Sequence, residues 1–105
     1  MSGISPSVYT DTIRFAQFNA SLNRRAEGQL VSDLADPNAN TPGTAQAKTV
    51  AEIIQRSNPD VVQVEEFDYF AADPTAAVKL FLKNYLNIGQ NGAAPVDYPY
   101  FYIAP

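Results

Sequence analysis

The spacing of apolar positions changes along the chain, and each change marks an element. From Ile13 to Phe18 the residues alternate. Ile13, Phe15, Gln17 and Asn19 share one parity; Arg14, Ala16 and Phe18 share the other. This predicts a strand with apolar residues on both faces. Residues 1–10, with Gly3 and Pro6, read as a mobile leader before it. Between Ala20 and Pro42 no long period holds. Leu30, Val31 and Leu34 have helical spacing, so a short turn of helix is expected there. DPNANTPG, residues 36–43, is dense in turn formers. A connection of this length is often functional or mobile.

Thr41-Pro42 has the form of an N-cap followed by proline at the first helical position. The helix predicted behind it spans 44–57, with Ala47, Val50, Ile53 and Ile54 as its apolar stripe. Pro59 closes it, because the residue before a proline avoids the helical region. A Val-rich run from Asp60 to Glu65 then predicts a second strand. Val61 and Val62 stand side by side, as they would where both sheet faces are covered. Strand, helix and strand make a right-handed parallel crossover. Asp73-Pro74 repeats the start signal, and Val78, Phe81, Leu82 and Tyr85 form the stripe of another helix, with Gly89 as a stop. Tyr98, Tyr100 and Tyr102 alternate with Pro99, Phe101 and Ile103, and Tyr100 to Ile103 reads as a third strand. The expected fold is α/β, ordered strand-helix-strand-helix-strand, in one domain over 1–105.

Composition narrows the function classes. The 105 residues are 46% hydrophobic and 17% charged, which suits a globular domain with a real core. No apolar run is long enough to span a bilayer, so no stable membrane insertion is expected. The opening MSGISPSVYT lacks the basic segment and apolar core of a secretory signal. There is no Cys, which excludes disulfides, thiolate metal sites and a Cys nucleophile. There is no His, so a hydrolase that needs a His base is not complete in these residues. The net charge of −4 disfavours general attraction to nucleic acid, although a local metal site handles phosphate.

Candidate chemistry lies at the ends of the two predicted strands. In a parallel crossover both strands present their C-terminal ends at one sheet edge, where open α/β sheets bind ligands. Asn19 ends the first strand; Glu65 and Glu66 end the second. An amide and two carboxylates at one edge suit a hard cation such as magnesium, which uses one or two carboxylates with water and substrate phosphate. By parity Glu66 shares a face with Val62 and Val64, and Glu65 with Val61 and Gln63. If the all-Val face is inner, Glu66 points inward and Glu65 outward. The bland alternative is that both are solvated charges beyond a strand. Asn19-Ala20-Ser21 also fits a glycosylation sequon, poorly accessible at a strand end. Arg24 and Arg25 read either as solvated loop charge or as forked phosphate donors.

These pieces, taken in order, resemble the endonuclease/exonuclease/phosphatase superfamily. RFAQFNASLNR, a helix, and NPDVVQVEEFDY follow its opening: a strand ending in Asn, a helix, and a Pro-Asp strand ending in a metal-binding Glu. The run TVAEIIQRSNPDVV is the most telling. QNGAAPVDYPYFYIAP looks like the third-strand region of a bacterial branch whose metal strand reads Asn-Glu-Phe-Asp-Tyr. By position, Asn19 matches the Asn that orients phosphate or nucleophile, and Glu66 the metal-binding Glu. Glu65 stands where relatives carry Gln or Asn, and Asp68 matches the Asp of the branch motif; both are further candidate ligands.

The resemblance implies the N-terminal part of a four-layer α/β/β/α sandwich, since the family's later Asp-x-Asn and His-Asp pairs are not in this sequence. It also implies a divalent cation, Mg2+ or else Mn2+ or Ca2+, and a phosphate-ester substrate. The remainder of the domain would be a partner, and relatives' export signals imply a secreted or cell-envelope bacterial protein. The expectation is a portion of a metal-dependent phosphoesterase, inactive alone, with self-association through an exposed sheet face. The rival is a small non-catalytic α/β interaction module that buries both sheet faces and carries Glu65 and Glu66 as surface.

Overall fold

A computed structural model describes residues 12–104; the leader expected over 1–10 lies outside them. Two strands, β1 (Phe15–Leu22) and β2 (Val61–Phe67), lie parallel. Helix α1 (Gln29–Ala35) and helix α2 (Pro42–Ser57) connect them. Helix α3 (Ala76–Phe81) follows β2 and runs on as a π-helical turn over Leu82–Leu86. The chain is therefore α/β, as the pattern predicts.

The start of α2 follows its sequence signal. The Thr41 side chain accepts from the Thr44 N–H at 3.1 Å, and Pro42 holds the first helical position. A cap of this kind contributes about 1 kcal/mol. At the other end Asn58 takes the left-handed conformation (φ 46°) and its N–H returns to the Ile54 carbonyl at 2.8 Å. Asn tolerates this conformation, and Pro59 prevents further helix.

The helices cover one face of the sheet. Ala20 and Leu22 of β1 pack against Leu30 and Leu34 of α1, Ala47, Val50 and Ile54 of α2, and Phe81 and Tyr85 beyond β2. Burying a side chain such as Leu22 or Leu30 contributes roughly 1.5–3 kcal/mol. Ile53, expected in the α2 stripe, is exposed, and Ala51 takes the buried position instead. Phe67 meets Phe81 edge-on at 5.6 Å, and Phe81 stacks on Tyr85 at 5.9 Å, which joins the end of β2 to α3.

The other face of the sheet is open. Phe15 is 74% exposed, and Val61, Gln17 and Gln63 are exposed beside it. The expectation that both faces of β2 are covered therefore fails within the described residues.

Two further expectations change. The Asp73-Pro74 signal does not begin the helix directly: α3 starts at Ala76, Thr75 precedes it, and Asp73 uses its carbonyl to accept the Ala76 N–H at 3.1 Å. The third strand does not form. Tyr100 and Tyr102 are 90% and 84% exposed, and residues 100–103 have no regular structure. The segment before them is already tied elsewhere. The Val96 N–H donates to the Leu86 carbonyl at 2.8 Å, and the Tyr98 hydroxyl donates to the Pro59 carbonyl at 2.7 Å. Pro95 and Pro99 remove two ladder donors from the same stretch. Among the described residues the sheet has two strands, and no helix is long and apolar enough to cross a membrane.

A buried amide fixes the end of the helical layer. Gln55, in α2, places its Nε2 within hydrogen-bonding distance of the carbonyls of Tyr85 (3.2 Å), Leu86 (3.1 Å) and Ile88 (2.8 Å). Its Oε1 accepts from the Gln90 N–H at 2.9 Å. These carbonyls belong to the end of the π turn and the loop after it, where partners within the helix run out.

Candidate functional site

The two strands run in register from Phe15↔Val61 to Asn19↔Glu65, and then the register slips. The next rung joins Leu22 to Phe67, so β1 carries one more residue than β2 across the gap. Ser21 and Glu66 absorb the change, both in the left-handed region at φ 52° and 53°. An inserted residue of this kind bends the strand and re-aims side chains.

That bend corrects the parity argument for Glu66. Alternation puts Glu66 inward with Val62 and Val64. In the structure Val64 and then Phe67 pack on the core, while Glu65 and Glu66 are both exposed. The left-handed residue consumes a position without crossing the sheet. Nothing in the local sequence marks a Glu for that conformation.

Asn19 and Glu66 meet. The Asn19 Nδ2 donates to Glu66 Oε2. The amide orientation of Asn19 is set by its other end, where Oδ1 accepts from the Ser21 N–H at 3.0 Å and from Ser21 Oγ at 3.2 Å. Gln46 of α2 reaches over to donate to the Ser21 carbonyl at 2.6 Å, which ties the bend to the long helix. With its oxygen committed to Ser21, Asn19 orients the carboxylate through its N–H group.

Asn23 was not singled out by the sequence. Its Nδ2 donates to Glu66 Oε1 at 3.0 Å, so each oxygen of Glu66 carries one amide donor. The signal available in sequence is only an Asn four positions after Asn19, beyond the end of the strand, where strand periodicity does not reach.

Glu65 turns to the open sheet face and accepts from Gln17 Nε2. Asp68 turns away: its Oδ2 accepts from the Arg24 N–H at 2.6 Å, and its own N–H donates to the Leu22 carbonyl at 3.1 Å. Asp68 thus ties the segment after β1 to the segment after β2. Arg24 is not a solvated loop charge. Its guanidinium pairs with Asp33 at 2.6 Å with both side chains mostly buried, and its Nη1 donates to the Asn23 carbonyl at 3.0 Å. Arg25 is exposed.

Among the described residues, the only ion pairs are Arg24–Asp33 and Arg56–Glu52, so neither Glu65 nor Glu66 has a cationic partner. No group of three or more Asp, Glu, His or Cys side chains gathers for a metal there. The donor set at the strand ends is one amide-clamped carboxylate, Glu66, with Glu65 beside it in sequence. That set fits a small hard cation that keeps several waters, and does not amount to an all-protein cage. Asn19 is exposed, contrary to the poor accessibility expected of this sequon, and its amide is engaged by Glu66 and Ser21.

An open cleft of about 350 Å3 lies at the opposite end of β2, lined by Asn58, Pro59, Asp60 and residues 95–99. Burial raises the Tyr98 phenol above its ordinary range there, and the nearby Asp60 charge adds to the rise. The acidic strand ends and this cleft are separate features. Set against known proteins, the chain matches no family model, no curated protein and no solved structure.

Proposed function

We propose that this chain supplies part of the metal site of a divalent-cation-dependent phosphoesterase of the endonuclease/exonuclease/phosphatase kind. The observation that carries the reading is the meeting of Asn19 with Glu66 across two parallel strands, at the sheet edge where such folds bind ligands. Glu66 would hold the cation. Bound there, a divalent ion supplies Lewis-acid polarisation of a phosphoryl oxygen. Asn19 orients the carboxylate, and Ser21 fixes Asn19. Glu65 adds negative charge next to the site. The open sheet face, with Phe15 and Val61, supports packing against a second sheet in a four-layer sandwich.

The chain has no His and no Cys to activate water, so residues 1–105 alone are expected to hydrolyse no phosphate ester. Titration with Mn2+ followed by NMR line broadening tests the site. Saturable broadening around Glu66 in wild type, lost in Glu66→Gln, is the expected result. Broadening that is equal in both proteins, or spread over all acidic residues, would remove the reading.

The rival reading, a small non-catalytic module that buries both faces of its sheet, is opposed by Phe15 and Val61, which stand exposed on the open face. An open apolar face favours self-association, so sedimentation should give a concentration-dependent mass that Phe15→Ser abolishes; a monomer at all concentrations would count against that use of the face.

A further inference from the structure

We infer that Asn23 is a positioning residue for Glu66, setting the orientation in which its carboxylate meets a divalent cation; the inference rests on the cation-site reading above. A carboxylate on a left-handed, exposed residue has several rotamers open to it. Asn19 restrains one oxygen. A second donor on the other oxygen fixes the plane of the group, and Asn23 Nδ2 is that donor at 3.0 Å. Since an ionised carboxylate only accepts, the amide nitrogen is the end that faces it.

Asn23 is itself held. Its carbonyl accepts from Arg24 Nη1 at 3.0 Å, and the N–H of the following residue donates to Asp68 Oδ2 at 2.6 Å. The Arg24 guanidinium is in turn fixed by Asp33 at 2.6 Å, and Asp33 Oδ1 accepts from Gln29 Nε2 at 2.8 Å. The path from α1 to Glu66 is a continuous set of hydrogen bonds, exposed at Gln29, Asn23 and Glu66 and partly buried at the Arg24–Asp33 pair between them. Partners of this kind restrict a ligand's rotation before the ion arrives, and losing one typically lowers metal affinity about 10- to 100-fold.

The test uses the whole chain and two measurements. Without metal, the Asn23 side-chain amide signals are compared between wild type and Glu66→Gln; a clear shift is expected, because the acceptor changes from charged to neutral. Mn2+ is then titrated into wild type, Asn23→Ala and Asn23→Gln. Asn23→Ala is expected to weaken binding about tenfold with an unchanged melting temperature, and Asn23→Gln to recover part of the loss. An Asn23 amide that ignores Glu66→Gln overturns the inference whatever the metal does. Equal Mn2+ affinity in Asn23→Ala and wild type overturns it while leaving the cation site standing. A clamp visible by NMR in a wild-type chain that binds no Mn2+ overturns the cation site, and the role of Asn23 falls with it.

Discussion

Ser21 and Glu66 sit on neighbouring parallel strands and both adopt the left-handed backbone conformation, at φ 52° and 53°. Neither is a glycine, and left-handed geometry costs an ordinary residue roughly 1–2 kcal/mol. Strain held by a non-glycine side chain is a reason to look for function at that position. Comparing two truncations isolates it. Glu66→Ala and Glu66→Gly lose the same hydrogen bonds, but only glycine relieves the backbone. Urea denaturation should show Glu66→Gly more stable than Glu66→Ala by about 1 kcal/mol. If alanine were the more stable of the two, position 66 would not be strained.

The same bend marks the limit of what the sequence reveals. The two strands and α2 are legible because each has a strong local cause: alternation in β1, adjacent valines in β2, and Thr41-Pro42 with Asn58-Pro59 around α2. The meeting of Asn19 and Glu66 follows from parallel pairing alone. Their faces do not, because parity assumes an unbroken pleat and one residue at φ 53° breaks it. Asn23 and Asp68 act through partners more than forty positions away, which no local period encodes. Tyr100–Ile103 has strand-like residues, yet a strand needs an edge to pair with, and Tyr98 and Val96 anchor the segment elsewhere.

Gln55 is a polar residue in the buried stripe of α2, and its role is structural. Replacing it with Leu keeps the volume but leaves the Gln90 N–H without its acceptor. The carbonyls lose one donor each and keep another: Gln90 Nε2 on Tyr85 and Ile88, and the Val96 N–H on Leu86. One unsatisfied buried polar group costs about 1–3 kcal/mol, so Gln55→Leu should lower the unfolding free energy by about that amount, measured by chemical denaturation. A neutral substitution would mean that the Gln90 N–H finds another acceptor or water.

Tyr85 gives the fold an alkaline limit. Burial raises its phenol above the ordinary value of 10.0, and the nearby charges of Asp33 and Asp36 add to the rise, against a lowering hydrogen bond with Thr44. A raised folded value means that the native state keeps the proton which the unfolded chain releases. The stability linked to Tyr85 is thus complete below pH 10 and is lost as pH rises from there through the folded value. Denaturation midpoints should be flat between pH 8 and 9.5 with respect to this group and fall above pH 10. Tyr85→Phe should make that alkaline fall shallower. An unchanged slope in the variant would assign the fall to other groups.

Gly43 connects core packing to the strand-end site. It stands in the first turn of α2, and a Cβ there would lie 2.6 Å from Asp33 Oδ2 and 3.3 Å from Arg24 Nη2. Real side chains do not tolerate the first of these distances, so Gly43→Ala must displace Asp33. Asp33 is not free to yield, since Arg24 and Gln29 both hold its carboxylate. Over-packing of this kind costs about 1–3 kcal/mol. Because Arg24 also grips the Asn23 carbonyl, the disturbance should travel to the Glu66 clamp. Gly43→Ala is thus expected to lose about 1–3 kcal/mol by denaturation and to shift the Asn23 side-chain amide signal. A loss of stability with that signal unmoved would show that Asn23 holds its position without help from the Arg24–Asp33 pair.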